Sequence, residues 1–173
     1  SVSLIGNVAD QLGQECYVVG GFVRDKHLGR PIKMDLDFVT VGSGIELARA
    51  VQKELKPRPK LTVFKSFGTA HMKYKGIDLE FVGARKESYR KDSRNPVVEN
   101  GSLQDDQDRR DFTINAMAIC LNKERWGELL DPFDGISDLD KKRITTPLAP
   151  DKAFDDDPLR IMRAVRFAAQ LDF

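Results

Sequence analysis

The chain has 173 residues, 40% hydrophobic and 32% charged, with 28 Lys and Arg against 27 Asp and Glu for a net charge of +1. That composition describes a globular domain large enough to fold without disulfides and excludes a disordered or fibrous chain. It also excludes a polycationic coat for nucleic acid, while leaving room for a local basic groove.

Residues 2–12 place Val2, Ile5, Val8, Ala9 and Leu12 at helical spacing. Cys16 to Val19 predicts a short apolar strand, ended by Gly20-Gly21, and Phe22 to Leu28 a short helix closed by Gly29. Leu36 to Val41 predicts a second strand and Ile45 to Leu55 a helix. The basic segment 56–60, with Pro57 and Pro59, is a stiff connector. Leu61 to Phe64, Thr69 to Lys75 and Ile77 to Val82 predict three strands, the last two turned at Gly76. Residues 86–106 are polar and are expected to form a mobile loop. Asp108 to Thr113 is expected to start a helix or turn, Ala116 to Leu121 a strand, and Trp126 to Leu130 its partner. Residues 131–157 are expected to be irregular with short helices. Pro158 to Leu171 predicts a helix, with Pro158 suited to its first turn. Its apolar pattern runs to the chain end, as if cut from a longer protein. The order predicts a small α/β (α+β) sheet with helices on one face.

No apolar run approaches the roughly 20 residues a membrane-spanning helix needs. The opening SVSLIGNVAD lacks the basic region of a signal peptide. Cys16 and Cys120 lie in apolar stretches and read as buried thiols of a cytoplasmic protein. The two histidines are far apart and do not suggest a His-rich metal site.

Asp35 and Asp37 are two apart on a strand and share a face. Like charges placed side by side suit divalent cations: Mg²⁺ takes one or two carboxylates plus substrate phosphates, and a pair of ions can activate a hydroxyl and stabilise a leaving phosphate oxygen. Gly20-Gly21 between a strand and a helix start allows backbone amides to approach a phosphate. Arg24, one turn on, is placed to grip the same anion. A third carboxylate is expected on a neighbouring strand, where Asp78 and Glu80 both qualify. Arg109 and Arg110 form a second anion candidate, and Asn115 is a candidate for orienting a sugar or a loop. Residues 52–75 hold seven basic residues against Glu54, a local surface suited to RNA.

Taken together, GGFVRD (20–25), DLD (35–37), EFVGAR (80–85), RRDFTINAMA (109–118), DPFDG (131–135) and DDPLRIMRAVRF (156–167) resemble the class II tRNA nucleotidyltransferases. These are the CCA-adding enzymes of bacteria and eukaryotes, with the related bacterial poly(A) polymerases. Val82-Gly83, Gln107-Asp108 and Asp156 depart from the family's usual residues. The resemblance implies a DNA polymerase beta-like nucleotidyltransferase head with a mixed five-stranded sheet over residues 1–145, and the start of a helical neck over 146–173. It implies addition of C and A to tRNA 3′ ends from CTP and ATP, with Mg²⁺ held by Asp35, Asp37 and Glu80. Glu80, five before Arg85, is favoured over Asp78 by the family spacing. The resemblance further implies triphosphate binding by Gly20, Gly21, Arg24, Arg109 and Arg110, ribose contact by Asp111, and base reading by Asp157 and Arg160. Arg163 joins the nucleotide-binding set, and residues 86–106 match a loop linked to switching from C to A addition.

Overall fold

The computed structural model describes residues 2–88 and 97–173. Helix α1 (Val2–Leu12) leads into β1 (Glu15–Val19), α2 (Gly21–His27), β2 (Asp35–Val41) and α3 (Gly44–Glu54). The hairpin strands β3 (Leu61–Phe64), β4 (Thr69–Tyr74) and β5 (Ile77–Gly83) follow. A separate ribbon pairs β6 (Arg85–Ser88) with β7 (Val97–Asn100). Next come α4 (Leu103–Asp108), β8 (Ala118–Cys120), β9 (Leu129–Leu130), α5 (Gly135–Asp140), α6 (Pro150–Asp156) and α7 (Leu159–Leu171).

The main sheet has seven strands in the order β3-β4-β5-β2-β1-β8-β9. It is mixed, as expected: β2 and β5 run parallel and the other pairs are antiparallel. The expected five strands become seven. The short strands β8 and β9 pair onward from the outer side of β1, and two-residue β9 is too brief to carry a period of its own.

One sheet face is dry. Helices α1 and α3 set Ile5, Val8, Leu47 and Val51 against Leu36, Phe38, Leu79 and Phe81. Ser43 starts α3 by accepting a hydrogen bond from the Glu46 amide at 3.1 Å. The opposite face is not helix-free, as the sequence pattern had suggested. Leu103 of α4 packs there with Tyr17, Val19 and Val39. Two further sequence expectations change here. Residues 86–106 contain all of the β6–β7 pairing except Arg85, and most of α4, whose start is fixed by a capping box between Ser102 and Asp105. Residues 89–96 of that segment lie outside the described residues. Asp108 ends a helix rather than starting one.

A third apolar cluster joins Val23, Phe112, Ile114 and Leu139 to Phe167 and Leu171 of α7. Ile161, Met162 and Val165, on the other side of α7, are exposed. No helix among the described residues is long and apolar enough to cross a membrane.

Candidate active site

The two-residue period of β2 and β5 builds the acidic centre. Because Leu36, Phe38, Leu79 and Phe81 point into the helix-covered core, Asp35, Asp37, Asp78 and Glu80 take the other face. The parallel register sets Asp35 beside Asp78 and Asp37 beside Glu80. Asp78 is engaged by β4: His71 Nε2 lies 3.1 Å and Lys73 Nζ 3.6 Å from its carboxylate. Asp35, Asp37 and Glu80 have no ion-pair or side-chain hydrogen-bond partner among the described residues. Burial, then the negative charges of Glu80 and Asp35, push the Asp37 carboxyl up to about 6, partly offset by Arg110.

Three oxygen donors of this kind fit a hard cation. Among the described residues they do not close into a cage around one point. An open arrangement is compatible with Mg²⁺, which keeps water and phosphate oxygens in its shell.

The glycine turn lies directly beside this centre. Gly20 has φ 72° and ψ −133°, a region essentially restricted to glycine. A Cβ there would stand 3.8 Å from both Asp37 Oδ2 and Arg110 Nη1. Gly21 opens α2, and the first amides of a helix have no acceptor within it. Arg24 is buried beneath the turn rather than projecting from it. Its Nε donates to Asp25 at 2.9 Å and its Nη1 to Asn115 at 2.7 Å, and the guanidinium lies over the Phe167 ring. Nη2 faces Gly21, 3.5 Å from where a Cβ would be.

Arg109 and Arg110 share one anchor. Fully buried Asp106 accepts from Arg109 Nη2 at 2.7 Å and from Arg110 Nε at 3.0 Å. Asp106 is not among the site residues expected from the sequence. The signal was in the sequence: an acid three and four residues before an arginine pair in a helical segment. Glu87 pairs with Arg85 at 2.8 Å and lies 3.7 Å from Arg109. The Nε atoms of Arg85 and Arg109 are buried without an acceptor among the described residues. The two arginines at 109 and 110 line two clefts. One, of about 420 Å³, contains Asp37, Glu80, Arg85 and Phe67. The other, of about 410 Å³, reaches Lys152, Asp156 and Arg160.

Helix α7 starts where the sequence predicts, with Pro158 as its N-cap. Asp157 has extended backbone and precedes α7, with its carboxylate accepting from the Leu159 amide at 3.2 Å. Arg160 is buried and donates to the carbonyls of Ala153 at 3.1 Å and Arg109 at 2.7 Å. Asp157 is outside the helix, one turn before Arg160, whose amide donates to the Asp157 carbonyl at 3.0 Å. Arg163 is also committed within the protein: its Nε and Nη2 donate to Asp111 at 2.8 and 2.6 Å. The other Asp111 oxygen accepts from the Phe112 amide and Asn115. Asn115 thus ties Arg24 to Asp111.

The chain is similar to known proteins in both sequence and fold. The chain is 49% identical to the A-adding tRNA nucleotidyltransferase of Aquifex aeolicus (strain VF5) over 159 residues, 91% of this chain and 18% of that protein. It is 39% identical to the CCA-adding enzyme of Lactobacillus gasseri (strain ATCC 33323), covering 95% of this chain and 39% of that one. It thus spans well under half the length of these relatives. Among solved structures, a tRNA nucleotidyltransferase complexed with a primer tRNA and an incoming ATP analog has a TM-score of 0.83 at 43% identity, covering 98% of this chain and 45% of that chain. The apo form II of a CCA-adding enzyme has a TM-score of 0.88 at 39% identity, covering 99% and 40%. The family described as the Poly A polymerase head domain matches residues 16–145, which include the carboxylates, the glycine turn and the arginine pair, and the chain belongs to that family.

Proposed function

We propose that this chain is the catalytic head of a template-independent RNA nucleotidyltransferase that adds C and A residues to tRNA 3′ ends from CTP and ATP in the cytoplasm. The carrying observation is the Asp37–Glu80 pair, without an ion-pair partner among the described residues and adjacent to Asp35, with Gly20 and Arg110 beside it. A binding module that had lost the chemistry would have no use for three repelling carboxylates. In the same reading residues 1–145 are the head and 146–173 open the neck.

The amides opening α2 at Gly20-Gly21 and the guanidinium groups of Arg109 and Arg110 hold the triphosphate. Arg24 supports the turn from beneath and presents its Nη2 edge to it. Asp35, Asp37 and Glu80 would hold Mg²⁺, which supplies charge neutralisation at the phosphate and activation of the attacking hydroxyl. The RNA 3′-hydroxyl attacks the α-phosphate in line, and pyrophosphate leaves. The neighbouring cleft at Arg160 receives the base. Cytosine and adenine both present an amino donor beside a ring-nitrogen acceptor, which a carboxylate and a guanidinium can match. Asp157 and Arg160 are assigned that task, and Asp111, braced by Arg163, the ribose.

A second reading, addition of A alone, is favoured by the A-adding activity named for the Aquifex relative. Bacterial poly(A) synthesis would use the same site with ATP only. Incorporation assays on the natural full-length protein separate these readings. The substrates are tRNA lacking CCA and tRNA ending in CC, each with single nucleotides and Mg²⁺. C and A addition to the first supports the primary reading. A addition only to the second supports the A-adding one, extended A tails support poly(A) synthesis, and no incorporation with any substrate overturns all three.

A further inference from the structure

We propose that Phe67 is the stacking platform for the 3′-terminal base of the RNA primer, an inference that rests on the function proposed above. Phe67 ends a 3₁₀ turn (Lys65–Phe67) between β3 and β4 and is 66% exposed. It belongs to none of the three apolar clusters. Gly68 follows in the left-handed region, φ 64°, with its amide donating to the Lys65 carbonyl at 3.2 Å. The turn therefore fixes the backbone that presents the ring just before β4 begins at Thr69. The ring lines the same cleft as Asp37, Glu80, Arg109 and Arg110. An exposed aromatic surface among carboxylates and guanidinium groups adds nothing to the core, but it suits a partner with a flat apolar face.

The sheet order says which partner. The glycine turn follows β1, on one side of β2; Phe67 precedes β4, beyond β5 on the other side. The Gly20-Gly21 turn and the ring thus flank the β2–β5 carboxylates from opposite directions, with Arg109 and Arg110 reaching the cleft between them. In-line displacement puts the leaving pyrophosphate and the attacking hydroxyl on opposite sides of the α-phosphate. The ring is on the hydroxyl side, where the primer ends, and not on the side of the incoming nucleotide. Stacking also suits a primer whose last base changes after each addition, because every base has a π-face and no edge contact is required.

The test uses the natural full-length protein, with KM measured separately for the tRNA primer and for the nucleotide. Phe67→Ala is expected to raise the primer KM about tenfold while the nucleotide KM changes by less than about twofold. The melting temperature should be unchanged, since the side chain is outside the core, and Phe67→Trp should restore the primer KM. A primer abasic at its last nucleotide should lose a similar factor with the parent protein and nothing further with Phe67→Ala. An unchanged primer KM, a loss confined to the nucleotide KM, or fully additive losses for the variant and the abasic primer would overturn the assignment. A parent protein that incorporates nothing overturns the proposed function and this inference with it, and that failure is seen before any variant is made.

Discussion

Two successive rungs of the β2–β5 ladder carry opposite chemistry. At one, Phe38 and Phe81 are register partners with stacked rings, centroids 5.2 Å apart and planes at 21°, buried beneath α1 and α3. At the rung before it, Asp37 and Glu80 are partners on the other face, repelling one another with no ion pair among the described residues and only Arg110 nearby to offset the charge. The backbone and pairing are continuous; only the face changes. Aromatic packing on one side fixes the strand spacing, and that spacing holds two like charges together on the other. The dry face supplies the stability against which the site face is strained. The nearby arginines differ again. Arg24, Arg109, Arg110 and Arg163 each have a side-chain partner that holds them in place. The acids are left open and the cations are held.

The largest effect should come from removing the open charge. Asp37→Asn in the full-length protein is expected to lower incorporation at least about a thousandfold, because a bound metal's charge stabilisation at the phosphate amounts to several kcal/mol. The same substitution should stabilise the metal-free protein. The Asp37 carboxyl is raised to about 6 from 3.8, so the fold favours its protonated form. That stability is fully present below pH 3.8 and is lost as pH rises through about 6, a contribution on the order of 2–3 kcal/mol. Urea unfolding of parent and variant without metal should coincide at pH 4 and diverge by pH 7, with the variant more stable. Equal stability at pH 7, or retained activity, would show that Asp37 is not the strained acid.

The held cations give the opposite outcome. Asp106→Ala leaves two guanidinium groups without their shared, fully buried carboxylate. Breaking a buried charge pair costs about 3–5 kcal/mol, with the lower end expected here because both arginines reach the clefts. Thermal melting should fall and the nucleotide KM should rise, whereas Asp106→Glu should recover part of both. A variant that melts like the parent would make the clamp dispensable.

The sequence showed the open half of this comparison more clearly than the held half. Alternation in DLD and in IDLEFV reveals which residues share a face, and Gly-Gly before a helix reveals a turn, because both signals are local. The register that puts Glu80, not Asp78, beside Asp37 is a long-range pairing. It came from family spacing, and the engagement of Asp78 by His71 and Lys73 depends on where β4 falls. The burial of Arg24 depends on Asn115, ninety-one positions away, and on Phe167 of the last helix. The extended chain at Asp157 is local in origin as well, since Pro158 disfavours helical backbone in the residue before it.

That position carries the next prediction. Asp157→Ala should relax discrimination against UTP and GTP, because the carboxylate's acceptor role opposes their carbonyl edge. Leaving such groups unpaired costs on the order of 1–3 kcal/mol, so selectivity should fall by about tenfold to a hundredfold in competition assays. Selection as strict as the parent's would leave Asp157 as the cap for the Leu159 amide and move base reading to Arg160 or beyond.

The smallest effect tests whether the two faces can be separated. Ser43 starts α3 on the dry side, and its hydroxyl accepts the Glu46 amide. Ser43→Ala removes that acceptor and should cost about 1 kcal/mol of stability. Helix α3 packs Leu47, Ala48 and Val51 into the core that backs Phe38 and Phe81, so the loss is felt by the same strands that hold Asp37 and Glu80. If the dry face acts only as a rigid support, a loss this small leaves strand spacing intact, and the kinetic constants at 25 °C should match the parent's while the melting temperature drops. If the repulsion between Asp37 and Glu80 instead sits close to what the core can hold, the same substitution should raise the metal requirement for activity before it unfolds the protein. A titration of activity against Mg²⁺ in parent and variant distinguishes a face that merely supports the site from one that tunes it.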